Sequence, residues 1–296
     1  MLVALFPGQG VQRAGMAGDL PERVPEVFAT ASGALGVDVA ALCTQGAAGE
    51  ASLDSTRWAQ PAIVAVGVAS WLDAGLDARA ACGHSIGEYT ALVAAGAVGL
   101  ADALDLVRLR AEAMDRAGTA TPGGMAAVAK LDRDALEPIC ERTGVALAAD
   151  NAPGQLVVSG AADALDAAVE AIAEAGGRCT RLEVAGAFHS PVMAAAAGEL
   201  SEALERTTFT APAFEVWSPT TTKPVNGAEE IRSALSAQLT GPVRFRETLL
   251  GLADRGGEVF IDLGPGKVVA NLAKRTVEGA EIRAVGDGSS LGAKGR

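Results

Sequence analysis

The chain has 296 residues, of which 49% are hydrophobic and 20% charged, a composition typical of a globular protein that excludes long disorder and low-complexity scaffolds. The length predicts two domains, or one large domain that carries an insertion. With 36 acidic against 24 basic residues the formal net charge is −12, which argues against binding of nucleic acids or anionic membranes, since both need a concentrated basic surface.

The first half of the chain predicts a buried strand followed by helices. Leu2–Phe6 is a continuous apolar run that ends at a Pro-Gly turn, which is typical of a parallel strand. Residues 60–76 are apolar over the length of a buried helix, residues 79–82 predict a short strand, and residues 102–114 have apolar positions at helical spacing. The turn around Ser85 therefore follows a strand and precedes a helix.

The middle of the chain predicts the order β-α-β-β-α-β, the split βαβ of a ferredoxin-like module. Asp132 is expected to cap its first helix, and Gly176 with Gly177 to end its second. Turn residues flank the module on both sides, so we interpret it as an insertion. Its predicted strands are residues 124–129, 145–149, 155–159 and 178–184, and its predicted helices are residues 132–142 and 163–175.

After the module the sequence predicts two helices and one more strand. The helices are residues 192–204 and 229–239, with a loop rich in proline and threonine between them, and the strand is residues 258–263, which end in GPGK.

The cysteines and apolar runs predict the cellular location. None of the four cysteines forms a C-x-x-C pair, so we expect reduced core thiols. The N-terminal run has no basic segment before it, and the apolar residues 61–72 are shorter than the roughly 20 residues of a membrane span. We therefore expect a soluble cytoplasmic protein without signal peptide. The cysteines are Cys43, Cys82, Cys140 and Cys179.

The sequence GHSIG at residues 83–87 fits the pattern G-x-S-x-G. A nucleophile on a strained turn between strand and helix needs neighbours without side chains, which makes Ser85 the candidate nucleophile. Backbone N–H groups at the start of the following helix favour a developing oxyanion. An ordinary glycine turn is the alternative interpretation of the same five residues.

A nucleophilic serine needs a base, and the chain has only two histidines, His84 and His189. His84 adjoins Ser85, and neighbours on a tight turn point in different directions, so we expect His84 to pack against or brace the loop. His189 stands at the exit of the inserted module just before a predicted helix, a position from which a loop can present it to Ser85. Elimination therefore favours His189 as the base over a structural role in the core.

Eight stretches of the chain form a set: FPGQG from Phe6, GHSIGEY from Gly83, LRAEAM around Arg110, GGMAAV from Gly123, NAPGQLVVSG from Asn151, GAFHSP from Gly186, the QL of Gln238 and LGPGK from Leu263. Their sequences and their order resemble the malonyl-CoA:acyl-carrier-protein transacylases and the acyltransferase domains of polyketide synthases. The resemblance extends from Phe6 to Arg275.

The resemblance implies a two-step transfer from malonyl-CoA to the phosphopantetheine thiol of an acyl carrier protein, with no bound cofactor or metal. Ser85 would form the acyl ester, and His189 would take its proton and later protonate the departing thiolate. Gln238 stands where the family has an oxygen that orients the histidine. Gln9 and Ile86 would supply backbone N–H groups to the oxyanion hole.

The resemblance also implies a site for the acyl group. Arg110 would hold the malonyl carboxylate in a bidentate pair, for which a planar guanidinium is suited. An acetyl group would leave this guanidinium unpaired at a cost of about 2 to 5 kcal/mol, so malonyl-type groups are expected to be preferred. Phe188 is expected to crowd an α-branch, as in malonyl-selective polyketide domains. Met125 and Asn151, in matching motifs, are further candidates for substrate binding.

Two stretches depart from the family pattern. The family often has two asparagines in the segment N-x-N-x-P-G-Q, where this chain has Ala149 and Asn151. After Gln238 the chain reads Leu-Thr-Gly-Pro, where an asparagine before the proline is common. Neither departure touches Ser85 or His189.

Elements and resemblance together predict an α/β fold, with an α/β-hydrolase-like core around a parallel sheet and an inserted ferredoxin-like βαββαβ subdomain. The large catalytic subdomain is expected at residues 1–122 and 188–285, and the small one at residues 123–187. A flexible tail is expected at residues 286–296, which are glycine, serine and charged residues.

Carrier proteins are generally acidic, so an acidic partner of this acidic chain needs a local basic patch. Arg178 and Arg181 are the first candidates for it, with Lys274 and Arg275 as second choices.

We expect a monomer. Three alternatives stay open: a serine esterase or thioesterase, although no HGGG oxyanion loop occurs here; a non-catalytic docking subunit of a synthase; and a discrete acyltransferase that serves a polyketide synthase in trans.

Overall fold

The computed structural model describes residues 1–286, so the predicted flexible tail lies, apart from Gly286, outside the described residues. The helices are α1 (Leu20–Arg23), α2 (Pro25–Leu35), α3 (Val39–Gln45), α4 (Thr56–Ala74), α5 (Gly87–Ala94), α6 (Leu100–Ala120), α7 (Arg133–Thr143), α8 (Ala162–Glu174), α9 (Ala194–Arg206), α10 (Ala228–Gln238), α11 (Phe245–Asp254) and α12 (Val268–Thr276), with a 3-10 turn at Pro191–Met193. The strands are β1 (Leu2–Phe6), β2 (Ala47–Ala48), β3 (Ala51–Ser52), β4 (Ala80–Gly83), β5 (Gly123–Ala129), β6 (Ala146–Ala152), β7 (Gln155–Ala161), β8 (Arg178–Arg181), β9 (Glu215–Ser218), β10 (Lys223–Val225), β11 (Val259–Asp262) and β12 (Glu281–Ala284).

A six-stranded sheet forms the body of the molecule, in the order β10-β9-β4-β1-β11-β12. β1 lies in its centre and pairs in parallel with β4 and β11, whereas β10 runs antiparallel to β9. Val3 to Phe6 are fully buried, as a strand covered on both faces requires. Because the carboxyl ends of parallel strands meet at one edge, the turns after β1 and β4 lie side by side.

A second, four-stranded sheet has the order β6-β7-β5-β8 and is antiparallel throughout. It comes from the predicted β-α-β-β-α-β segment, and Asp132 caps α7 as expected, since its side chain accepts from the N–H of Ala135. A separate apolar cluster fills the space between this sheet and helices α7 and α8, with Leu136, Val158 and Ile172 at its centre. The predicted fold class is confirmed. The exact division of the chain into residues 1–122, 123–187 and 188–285 stays a prediction.

Some elements differ from the sequence prediction, and most of them are short. Residues 20–45 form α1 to α3, and α1 and α3 have only 4 and 7 residues, too few for a helical period to stand out. The segment predicted as a Pro- and Thr-rich loop contains the hairpin of β9 and β10, where Pro224 is tolerated because β10 lies at the sheet edge. β8 ends at Arg181 instead of residue 184.

The cysteines are free thiols, as predicted. Cys43, Cys82 and Cys140 are buried, whereas Cys179 on β8 is only partly buried and packs against the margin of the apolar cluster of the small sheet. Its incomplete burial follows from the position of β8 at the edge of the small sheet.

Among the described residues, no single helix has the length and apolar composition to cross a membrane. Helices α2 and α3 meet those two criteria only when taken together, and they are bent by 106° at the break between them.

Candidate active site

Ser85 lies on the sharp turn between β4 and α5, with a left-handed backbone angle φ of 51°. A Cβ atom on Gly83 would overlap the carbonyl carbon of Gly87, and one on Gly87 would overlap the carbonyl oxygen of Phe6. The two glycines of the G-x-S-x-G pattern are therefore required by close backbone contacts. The strained serine conformation between them is a frequent sign of a functional position.

His189 faces Ser85 from the segment that follows the small sheet, and it also has a left-handed φ, of 56°. Its Nε2 lies 2.8 Å from Ser85 Oγ, and its Nδ1 lies 2.9 Å from the main-chain oxygen of Gln238. Because a carbonyl oxygen only accepts, Nδ1 carries the proton and Nε2 accepts from the serine hydroxyl. The predicted pair is thus in contact, and Gln238 orients the histidine through its main-chain oxygen.

The His189 ring is suited to act as a base because it is held neutral. It is only 6% exposed, and burial, with the nearby positive charge of Arg110 as a second cause, lowers the pKa of His189 to about 3. Protonation of a group with a lowered pKa is disfavoured at neutral pH. The free lone pair on Nε2 is therefore available to the Ser85 hydroxyl.

Arg110 projects from α6 into the same site and is 1% exposed. One terminal nitrogen donates to the amide oxygen of Gln60 at 2.6 Å, and the other donates to Ser85 Oγ and to the side-chain oxygen of Gln238, both at 3.0 Å. Among the described residues no carboxylate lies within ion-pair distance of this guanidinium. A buried cation with neutral hydrogen-bond partners is prepared to receive an anion from outside the chain.

Two polar side chains of this network were not predicted from the sequence. Gln60, on the apolar helix α4, accepts from Arg110 and donates to the side-chain oxygen of Gln9 at 3.1 Å. Glu88, on α5, accepts from the side-chain nitrogen of Gln238 at 2.6 Å. Each is a polar residue beside apolar ones in the sequence, but this pattern alone does not connect either residue with Arg110.

The candidate oxyanion hole is formed by main-chain groups at the edge of the large sheet. Gln9 follows β1, and Ile86 follows the nucleophile at the start of α5. Within residues 1–286, neither of their backbone N–H groups donates to a protein acceptor. Both N–H groups are therefore available to a ligand oxygen, as the sequence prediction requires.

A cleft of about 960 Å³ opens above Ser85. Met125 and Phe188 line it together with Ser85 and His189, and Asn151 lines it while accepting a hydrogen bond from His84 Nε2 at 2.7 Å. His84 also packs edge-on against Phe245, so its predicted bracing role is confirmed.

The basic candidates lie around the mouth of the cleft. Arg178, Arg181 and Arg275 line it, whereas Lys274 does not. Arg181 is ion-paired with Asp166, and Arg275 donates to the carbonyl oxygen of Pro153. No cluster of three or more metal-ligating side chains is present in the described part of the chain.

The site joins a strained serine, a neutral histidine and free N–H groups at the carboxyl edge of a parallel sheet, an arrangement suited to acyl transfer through a serine ester. The family description "Acyl transferase domain" matches residues 3–289, and the chain is an enzyme of this acyltransferase class.

Similar proteins of known name indicate which kind of acyltransferase the chain is. The chain is 37% identical to a malonyl CoA-acyl carrier protein transacylase of Salmonella typhimurium, over 98% of this chain and 97% of the relative. It superimposes on an acyl carrier protein S-malonyltransferase of Vibrio cholerae with a TM-score of 0.92 and 37% identity, over 98% of each chain. A malonyl-transacylase solved in complex with a type II PKS acyl-carrier protein matches with a TM-score of 0.89 and 36% identity, over 96% of this chain and 95% of that one. The chain belongs to the family of malonyl CoA-acyl carrier protein transacylases, as its motifs predicted.

Proposed function

We propose that the protein transfers a malonyl group from malonyl-CoA to the phosphopantetheine thiol of an acyl carrier protein, through an ester on Ser85. The observation that carries this proposal is the buried Arg110, which contacts Ser85 Oγ and has only neutral partners among the described residues. An acyl group that bears a free carboxylate is the substrate that supplies the missing anion.

The first half-reaction forms the acyl-enzyme. His189 Nε2 takes the hydroxyl proton as Ser85 Oγ attacks the thioester carbonyl carbon. The negative charge that develops on the carbonyl oxygen is stabilised by the backbone N–H groups of Gln9 and Ile86. The carbon–sulfur bond then breaks, the CoA sulfur takes the proton from His189, and CoA leaves.

The second half-reaction runs the same steps in reverse on a new thiol. The phosphopantetheine thiol loses its proton to His189 Nε2 and attacks the ester carbonyl. The bond to Ser85 Oγ breaks, and the serine oxygen recovers the proton. Both half-reactions balance with the serine, the histidine and two thiols, so we propose that no cofactor or metal ion is bound. A monomeric state and a cytoplasmic location stay predictions.

Arg110 and the cleft residues select the acyl group in this proposal. The guanidinium pairs with the malonyl carboxylate, and Phe188, 5% exposed beside the base, limits the space next to the α-carbon. Met125 and Asn151 complete the wall of the cleft, and Asn151 keeps His84 in place through its side-chain oxygen.

The acylation step is tested with labelled malonyl-CoA and intact-mass or peptide analysis. We expect one malonyl group on Ser85 and none on the Ser85→Ala variant; acylation of that variant would disprove the assignment. Adding holo carrier protein then separates transfer from hydrolysis. Release of free malonate as fast as carrier loading would favour an esterase or thioesterase instead.

The orientation of His189 by a main-chain oxygen, where serine hydrolases normally use a carboxylate, favours the transferase. Loading rates on carriers from fatty acid and polyketide synthesis decide which pathway the protein serves, including the trans-acting alternative.

We propose that the carrier docks at the mouth of the cleft near Arg178 and Arg181. Arg178 is exposed and has no ion pair among residues 1–286, whereas Arg181 is tied to Asp166. Arg178→Glu should therefore slow carrier loading more than Arg181→Glu, because it reverses a charge that no neighbour neutralises. Acylation from malonyl-CoA serves as the control and should not change. Equal loading by the wild type and both variants would exclude this docking surface.

A further inference from the structure

Glu88 is a buried acid that acyl transfer through Ser85 and His189 does not use. It lies on α5, three residues after the nucleophile, and is 1% exposed. It does not line the cleft. Its carboxyl group accepts a 2.6 Å hydrogen bond from the side-chain nitrogen of Gln238 and a further one from the Ser218 hydroxyl. Burial raises its pKa to about 7, a cost that the fold tolerates at the centre of its functional site.

The Gln238 side chain connects this acid to Arg110. Its Oε1 accepts from the guanidinium at 3.0 Å, and its Nε2 donates to Glu88 Oε2 and to the Ser85 carbonyl oxygen at 3.1 Å. A guanidinium only donates, and the carboxyl oxygen of Glu88 accepts. Only one orientation of the Gln238 amide makes a hydrogen bond to both Arg110 and Glu88. In the flipped orientation the amide N–H groups would face the N–H groups of Arg110, and the amide oxygen would face the carboxyl oxygen of Glu88.

This arrangement has a consequence for Arg110. The guanidinium is oriented by two amide oxygens, from Gln60 and Gln238, while the nearest acid stays one residue further away. A carboxylate in direct contact with Arg110 would compete with the substrate for it. By holding the amide of Gln238, the acid fixes the guanidinium without occupying the position that the substrate carboxylate needs.

We propose that Glu88 is a positioning residue that acts through the Gln238 amide to aim Arg110 at the carboxylate of the acyl group. The inference rests on the proposed function and adds a determinant of its substrate preference. Glu88 touches no reacting atom, and His189 contacts a different group of Gln238, its main-chain oxygen.

Two conservative variants separate positioning from simple charge. Glu88→Gln keeps the length of the side chain, so the introduced amide oxygen still accepts a hydrogen bond from Gln238 Nε2, but the variant has no negative charge at this position. Glu88→Asp keeps the charge but is one methylene shorter and does not reach Gln238. The readout is the ratio of the rates at which malonyl-CoA and acetyl-CoA acylate Ser85. Because both rates come from the same protein sample, a loss of folded protein cancels.

We expect Glu88→Asp to lower the malonyl-to-acetyl ratio by about tenfold or more, the usual effect of losing a charge-assisted hydrogen bond, through a higher KM for malonyl-CoA. Glu88→Gln should keep the ratio within about threefold of the wild type. An unchanged ratio in Glu88→Asp, or an equal loss in both variants, would overturn the proposal.

A double-variant cycle tests the route through Gln238. In the Gln238→Ala background, Glu88→Asp should change the ratio by less than about twofold, because the amide through which it acts is gone. Full additivity would overturn the proposal. Absence of malonyl on wild-type Ser85 would instead disprove the proposed function itself, so the two failures are distinguishable.

Discussion

Replacement of Arg110 by alanine is the most direct test of acyl-group selection. The guanidinium is 1% exposed, so a carboxylate bound to it is removed from water together with its partner. Loss of one partner of such a desolvated pair costs about 2 to 5 kcal/mol, which corresponds to roughly 30-fold to several-thousand-fold in rate or affinity. We expect Arg110→Ala to lower the malonyl-to-acetyl acylation ratio by that factor.

The ratio isolates the carboxylate contact from the other losses in this variant. Arg110→Ala also removes the hydrogen bonds to Ser85 Oγ and Gln60, which slows acylation by either thioester. Rapid-quench measurement of Ser85 acylation by malonyl-CoA and by acetyl-CoA gives both rates. Arg110→Lys is the matched control, because it keeps the cation without the planar fork and should give a smaller fall in the ratio. Equal losses for the two substrates in Arg110→Ala would refute the carboxylate contact.

The remaining predictions concern the base, the pocket and the turn. Because burial lowers the pKa of His189 to about 3, its base form persists down to that pH, so acylation of Ser85 should show no acid limb near pH 6.5 that belongs to His189. Glu88, whose pKa is raised to about 7, titrates in the same range, so the pH–rate profile is measured on the Glu88→Gln variant as well, and a midpoint near pH 6.5 in that variant would contradict the neutral buried base. Phe188→Ala should raise acylation by methylmalonyl-CoA relative to malonyl-CoA, and an unchanged ratio would show that the ring does not limit the α-branch. Gly83→Ala should lower the free energy of unfolding by about 3 kcal/mol or more, since the added Cβ overlaps the backbone of Gly87. Its control Gly33→Ala, in α2 with open space around the added atom, should leave stability the same or raise it by up to about 1 kcal/mol, and equal melting temperatures for the two variants would contradict the steric requirement.

The contact between Ser85 and His189 could be predicted because residues able to act as a base toward a serine are scarce in this sequence. With two histidines present and one of them beside the serine, only His189 was left as a base. The glycines of the turn mark the nucleophile, since a side chain at either position meets backbone. The number of histidines and the glycine pattern around Ser85 are both visible in the sequence alone, so neither prediction needed a distance.

The polar network behind the pair could not be predicted in the same way. Gln60 and Gln238 are 178 residues apart in the numbering of the chain, yet they contact the same guanidinium. Glutamine is common, and no periodicity selects one glutamine over another. The contacts arise only when folding brings Gln60 of α4 and Gln238 at the end of α10 to the side chain of Arg110 on α6, a tertiary event that local patterns do not contain. Helices α1 and α3 and the hairpin of β9 and β10 were missed for a related reason, because elements of three to seven residues take their stability from packing.

The separate origins of nucleophile and base have a consequence for carrier binding. Ser85 is held by the turn between β4 of the large sheet and helix α5, whereas His189 follows the small sheet by a few residues. The contact between the His189 ring and the Gln238 main-chain oxygen ties the base to the end of α10, in the body that also holds the serine. A carrier that binds Arg178 on β8 therefore contacts the small sheet. The distance between Ser85 and His189 is set by groups outside that sheet, namely the turn after β4 and the main-chain oxygen of Gln238. Charge reversal at Arg178 should for this reason affect loading of the carrier and leave the first half-reaction intact.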